Sequence, residues 1–193
     1  MTEFVLTLER FEMPLTRQPM KLKFTDLQRL VAVTCLVFAS SYCLGAQEDA
    51  YVESVVNATP SQAWSALTTK AGLESWMVAM AEVDWRIGGS IRTRYKADGF
   101  IGDDGTIENS ILSFDEPRMY SIRIAKPPQG FPFMAAFKSV WSVVYFEPVA
   151  AGKTRVSIRM HGFSEEDESQ KMREFFLRGN QYTLDKLGEK FSR

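Results

Sequence analysis

Between Ala81 and His161 apolar residues recur at every second position in segment after segment, and from Ser164 onward the repeat becomes that of a helix. Val83 and Trp85 alternate with Asp84 and Arg86, Gly88 and Gly89 mark a turn, and Ile91, Thr93 and Tyr95 alternate with Arg92 and Arg94, which reads as a hairpin. After a Gly- and Asp-rich loop from Ala97 to Gly105, the run TIENSILSF changes phase: Ile107 and Ile111 share one parity, Leu112 and Phe114 the other. A bulge near Ile111 accounts for that. Tyr120, Ile122 and Ile124 predict the next strand, Trp141, Val143 and Tyr145 another, and Val156, Ile158 and Met160 the last. A sheet with one apolar face must be covered. The cover is a long helix opened near Ser164, with an acidic first turn from Glu165 to Glu168 that complements the helix dipole. Met172, Phe175, Phe176, Gly179, Tyr182, Thr183, Leu187 and Phe191 form its broad stripe.

Ahead of the sheet, Tyr51 begins a short extended run that stops at Thr59 and Pro60. Thr59, Pro60, Ser61 and Gln62 spell a capping box with proline at the first helical position. Trp64 and Leu67 share a face of that helix, and a second short helix from about Gly72 to Met77 carries Leu73 and Trp76. The fold class is therefore α+β: a curved antiparallel sheet of about six to seven strands wrapped round a long C-terminal helix, with two short helices after the first strand. For 193 residues one domain is the expectation.

The segment from Met20 to Ala46 has a basic start, an apolar run from Leu30 to Ala39 and a small-residue end, the layout of a signal peptide. The run is short for a bilayer of ~30 Å, so cleavage near Gly45 or Ala46 is expected, with an uncleaved anchor as the alternative. Lipid attachment is disfavoured, because Tyr42 precedes Cys43 and Thr34 precedes Cys35. Residues 1–19 are mixed and acidic, which points to Met20 as the true start and to an exported product, periplasmic or secreted. A chain cleaved near Ala46 has no cysteine, and an oxidising compartment suits it.

Net charge of −1 provides no footprint for a phosphate backbone, so no nucleic-acid partner is expected. One histidine and two cysteines exclude Cys₄, Cys₂His₂ and His₃ zinc sites. No metal or cofactor is expected. The membrane enters only through an uncleaved signal segment, and the state is expected to be a monomer or weak dimer.

The words NATPSQAWSALTT, GLESWM, DWRIGGSIRTRY, GTIENSILSFDEPRMYSIRI and the helix after GKTRVSIRMHGF resemble the SRPBCC superfamily, and within it the polyketide cyclase and heat-shock ATPase activator-homologue branch. The resemblance runs from about Tyr51 to Phe191, within a domain taken as residues 48–193, and implies a helix-grip fold, often with an apolar cavity between sheet and helix. It implies no fixed catalytic set, because such proteins include ligand carriers, cyclases and chaperone regulators.

Gly179 is the informative residue, since a glycine inside a helix costs about 1 kcal/mol relative to alanine. It provides either room for a ligand, beside Phe176 and Thr183, or close approach of a sheet residue such as Trp141. The expected cavity lining is Trp85, Tyr95, Tyr120, Phe133, Trp141, Tyr145, Met160, Phe176, Gly179 and Thr183, with a small hydrophobic molecule or lipid as partner. Phe131, Phe133, Met134 and Phe137 form a lid or plug the end of the sheet. His161, Arg92 and Arg94 have the outward parity and are expected at the surface. A non-catalytic carrier or sensor is the first reading. A cyclase or isomerase using tyrosines, His161 or Glu108, and an interaction module using the outer sheet face, are the alternatives.

Overall fold

A computed structural model describes residues 49–192. The upstream extension, 1–19, and the signal segment, 20–46, lie outside the described residues. Among the described residues no helix is long and apolar enough to cross a membrane. The elements are β1 (Ala50–Val56), α1 (Pro60–Thr68), α2 (Lys70–Glu74), β2 (Met80–Val83), β3 (Ser90–Arg94), β4 (Ile107–Asp115), β5 (Met119–Lys126), a 3₁₀ turn (Phe137–Ser139), β6 (Trp141–Ala150), β7 (Lys153–His161) and α3 (Asp167–Lys190). The seven strands pair antiparallel in the order β1-β7-β6-β5-β4-β3-β2. This is the α+β helix-grip fold expected from the sequence.

Local chemistry starts each helix. The Thr59 hydroxyl accepts from the Gln62 N–H at 3.3 Å, and Gln62 Oε1 accepts from the Thr59 N–H at 2.9 Å, so the capping box forms. The second helix begins at Lys70 rather than Gly72, because Thr69 Oγ1 accepts from the Gly72 N–H at 3.0 Å and caps it two residues early. The terminal helix begins at Asp167 rather than Ser164. Ser164 is instead held outside it, its N–H donating to Ser169 Oγ at 2.8 Å and its carbonyl accepting from Gln170 Nε2 at 2.7 Å. The bulge falls where the phase changed: Ile111 pairs with Ile122 and Ser113 with Ser121, leaving Leu112 as the extra residue.

Trp64 of α1 anchors the core, edge-on to Trp85 at 5.3 Å, Tyr120 at 5.8 Å and Phe146 at 5.5 Å between ring centroids. Such pairs contribute about 0.5–1.5 kcal/mol each beyond area burial. Phe146 decides the facing of β6, and the expected facing is reversed. Ser142, Val144 and Phe146 face the core, while Trp141 and Tyr145 stand opposite His161 and Ser157 on the outer face. The run WSVVYF carries apolar residues at both parities, and Val143 and Val144 are both buried, so alternation alone leaves its facing open.

Two side chains fasten the margins. Thr154 Oγ1, fully buried, donates to the Ala58 carbonyl at 2.7 Å and ties β7 to the turn before α1. Glu74 accepts from the Ala81 N–H at 2.8 Å and from Lys70 Nζ at 2.9 Å, and Lys70 Nζ also donates to the Ala81 carbonyl at 2.9 Å, clamping edge strand β2 to α2. The Lys70 ammonium first, then the Ala81 N–H, hold the Glu74 carboxyl below the usual carboxylate range.

Thr154→Val leaves the Ala58 carbonyl without its donor and is expected to lower stability by about 1–3 kcal/mol in urea titration. Because the folded-state pKa of Glu74 is depressed, its contribution is present above the unfolded pKa and is lost as pH falls through the folded value. Glu74→Gln is therefore expected to flatten the decline of the unfolding midpoint between about pH 5 and pH 3 relative to the wild type.

Candidate functional site

The terminal helix lies closest to β1, the outermost strand, and leaves the inner face of the central strands uncovered by its backbone. Between that face, α3 and the 127–140 connection lies a cavity of about 430 Å³. Its wall is mostly apolar: Ile91, Ile122, Val144 and Ile158 come from the sheet, and Phe176 and Leu184 from the helix.

Gly179 borders this space, and a methyl group placed on it meets no atom within 4 Å. Of its two sequence readings, close approach of a sheet residue is excluded and open room is what stands there. Seven of the ten expected lining residues reach the cavity: Tyr95, Tyr120, Trp141, Met160, Phe176, Gly179 and Thr183. Tyr95 does so from the rim, one residue past the end of β3 and 57% exposed. Trp85, Phe133 and Tyr145 do not line it. Trp85 is packed among Trp64, Tyr120 and Phe114 in the core. Phe133 stands one layer behind, ring to ring with Phe131 and Phe175, and Tyr145 follows the reversed facing of β6 to the outer side.

The connection forms part of the wall rather than a separate plug. Phe131 and Phe137 line the cavity, and the Phe131 ring contacts Phe133, Phe137, Phe175 and Phe176 at centroid distances of 5.5–6.4 Å. The Glu168 carboxylate, in the first turn of α3, accepts from the N–H groups of Ala135 at 3.0 Å and Ala136 at 3.4 Å. That carboxylate belongs to the acidic run read from sequence as complementing the helix dipole, and it serves the connection as well.

Polar groups in the wall are few. Tyr120 is buried, burial pushes its phenol well above the ordinary value, and no group among the described residues bonds to its hydroxyl. It therefore remains a protonated donor. Thr183 Oγ1 donates to the Gly179 carbonyl at 3.0 Å, and Asn180 Nδ2 donates to Met160 Sδ at 3.1 Å. Thr93 and Asn109 add two further polar side chains, and Arg123 is the sole charged residue of the wall. Glu108, weighed as an acid or base, stands opposite Arg92 and Lys126 in the strand register and is not part of the wall.

The other candidates lie apart. His161 stacks on Trp141 at 4.4 Å between centroids, and its Nδ1 sits 2.7 Å from Asp49 Oδ1, on the outer face as its parity predicted. Asp49 is 112 residues away in sequence. Only the pairing of Ala50 with Met160 brings it there. Arg92 is also at the surface, 3.4 Å from Glu82. Arg94 corrects the expectation: its side chain is 11% exposed, bridging Asp98 at 2.9 Å and Asp103 at 3.0 Å. The loop wraps onto it because Gly99 has no side chain; a Cβ there would stand 2.2 Å from Arg94 Nη2. Its guanidinium secures the 97–105 loop.

The family model described as "Activator of Hsp90 ATPase homolog 1-like protein" matches residues 57–192. No curated protein matches the chain. Among solved structures, the chain is similar to the Aha1 dimer from Colwellia psychrerythraea, at 15% identity and TM-score 0.54, covering 74% of this chain and 97% of that one. It is also similar to a protein from Mesorhizobium loti, at 19% identity and TM-score 0.56, covering 74% and 95%. An HSP90 activator from Plasmodium falciparum aligns at 14% identity and TM-score 0.50, covering 70% and 91%. At these identities the neighbours share a fold, and the family model carries the assignment. The chain belongs to the activator of Hsp90 ATPase homolog 1-like family, within the SRPBCC branch that its motifs resemble.

Proposed function

We propose that this protein binds a small apolar or aromatic molecule between its sheet and terminal helix, as a non-catalytic carrier or sensor working outside the cytoplasm. The observation that carries the reading is the cavity itself. At about 430 Å³ it falls in the range of small-molecule sites, and a dry apolar space of about 150 Å³ is already enough for benzene. Its wall contains no Asp, Glu, His or Lys, so it lacks the paired acid and base that a cyclase or isomerase would need at one point. The Tyr120 hydroxyl, held protonated and without a partner among the described residues, is suited to orient a ligand's acceptor atom.

The family assignment and the similarity to an HSP90 activator favour a second reading, an interaction module docking through the outer sheet face. An unfilled interior is not needed for that role, and the cavity is the observation that supports the carrier ahead of it. Export is part of the proposal because of the residue pattern from Met20 to Ala46.

Native mass spectrometry of the protein purified from its own host is expected to show a retained small mass. A clean apo mass, with no thermal stabilisation across a panel of lipids and aromatics, would sink the proposal. Gly179 supplies the control pair. Gly179→Ala adds a methyl to open space within a helix and is expected to raise stability by about 1 kcal/mol while leaving ligand retention intact. Gly179→Trp is expected to keep the fold and lose the retained mass, because the indole takes up the ligand's space.

A further inference from the structure

We propose that the ligand is an amphipathic organic anion, an apolar body bearing a carboxylate or similar acidic head, and that Arg123 is the residue that receives the head. The inference rests on the reading of the cavity as a binding site and adds the chemical class of its occupant. The wall of that cavity contains a single charged residue, Arg123, and not one acidic residue. Any guest inside therefore meets one fixed positive charge with no negative charge in the wall to balance it.

The strand pairing explains how an arginine of outward parity borders the interior. β5 pairs with β6 only from Met119 to Ile122, the last pair being Ile122 with Ser142. Beyond it, residues 123–126 continue along β4 alone while the chain departs into the 127–140 connection. The sheet is thus parted beside Arg123 on one side and Trp141 and Ser142 on the other, and all three residues border the cavity. A chain-like guest lying along Ile122, Ile124 and Phe131 has its body in the apolar part and its end at this parting.

Arg123 is available for the role. Among the described residues its guanidinium makes no ion pair and no hydrogen bond. The neighbouring basic groups are occupied: Arg92 pairs with Glu82, Arg94 with Asp98 and Asp103, and Lys126 donates to the carbonyls of Gly102 and Asp103. A guanidinium fork meets a carboxylate with two parallel N–H···O bonds, whereas a neutral hydroxyl head takes only one and brings no opposite charge. Because Arg123 is exposed at the parting, its pair with the ligand is solvated and modest in strength.

The test compares laurate with 1-dodecanol, the same chain with and without the acidic head, by isothermal titration calorimetry of the delipidated protein in low salt at about pH 7.5, where the carboxylate is ionised. The wild type is expected to bind laurate about three- to tenfold more tightly than dodecanol, with the preference shrinking as salt is added. Arg123→Gln is expected to abolish the preference by weakening laurate about three- to tenfold while dodecanol still binds through the apolar wall, which also shows that the variant is folded. Arg123→Lys is expected to retain part of it. Equal affinities in the wild type, or a preference that survives in Arg123→Gln, overturns the assignment of Arg123 and leaves the cavity reading standing. Binding of neither probe overturns both.

Discussion

Trp64 presents its indole to the edges or faces of three other rings at 5.3–5.8 Å, and through them α1 is set against the sheet at β5 and β6 and against the turn that carries Trp85. Large rings packed edge-on set a spacing that smaller aliphatic residues do not fill to the same depth. On the other side, Met172, Leu184 and Leu187 are buried where α3 runs along β1. The sheet is thus gripped at two places, by an aromatic hub under α1 and by an aliphatic seam beside its edge strand. The cavity occupies the ground between them, and Gly179 faces it because the helix is seated on an edge rather than over the middle.

Much of this was legible in the residues because it rests on short-range chemistry. The capping box at Thr59 and Gln62 forms as its spacing requires, and the phase change at Ile111 becomes a bulge. The terminal helix follows from its acidic start and apolar stripe, and only its first turn shifts, because Ser164 bonds back to Ser169 and Gln170 instead of entering the helix. Seven of the ten expected lining residues border the cavity, chiefly where parity or helical spacing was unambiguous.

The misses share a cause, which is that partners distant in sequence decide them. Tyr145 lies in a run apolar at both parities, and Phe146 settles the facing only by meeting Trp64, 82 positions earlier in the chain, while Trp141, of the same outward facing, borders the cavity only at the strand end. Arg94 read as a surface strand residue, yet the loop after it folds back and places two carboxylates on its guanidinium. Asp49 beside His161 depends on β1 reaching β7 across the whole domain. Arg123 has the parity of a solvent-facing residue, and only the parting of β5 from β6 brings it to the interior. The Pro127, Pro128 and Pro132 cluster that follows is the nearest signal, since prolines lacking amide donors cannot extend the pairing there.

Glu168 links two parts that would otherwise be independent. One carboxylate at the head of the terminal rod grips two successive amides of the roof, and the Phe131, Phe175 and Phe176 rings interlock just beneath. Roof and rod are thereby latched to one another, so a change that loosened the Glu168 carboxylate would disturb both the helix start and the aromatic wall beneath it.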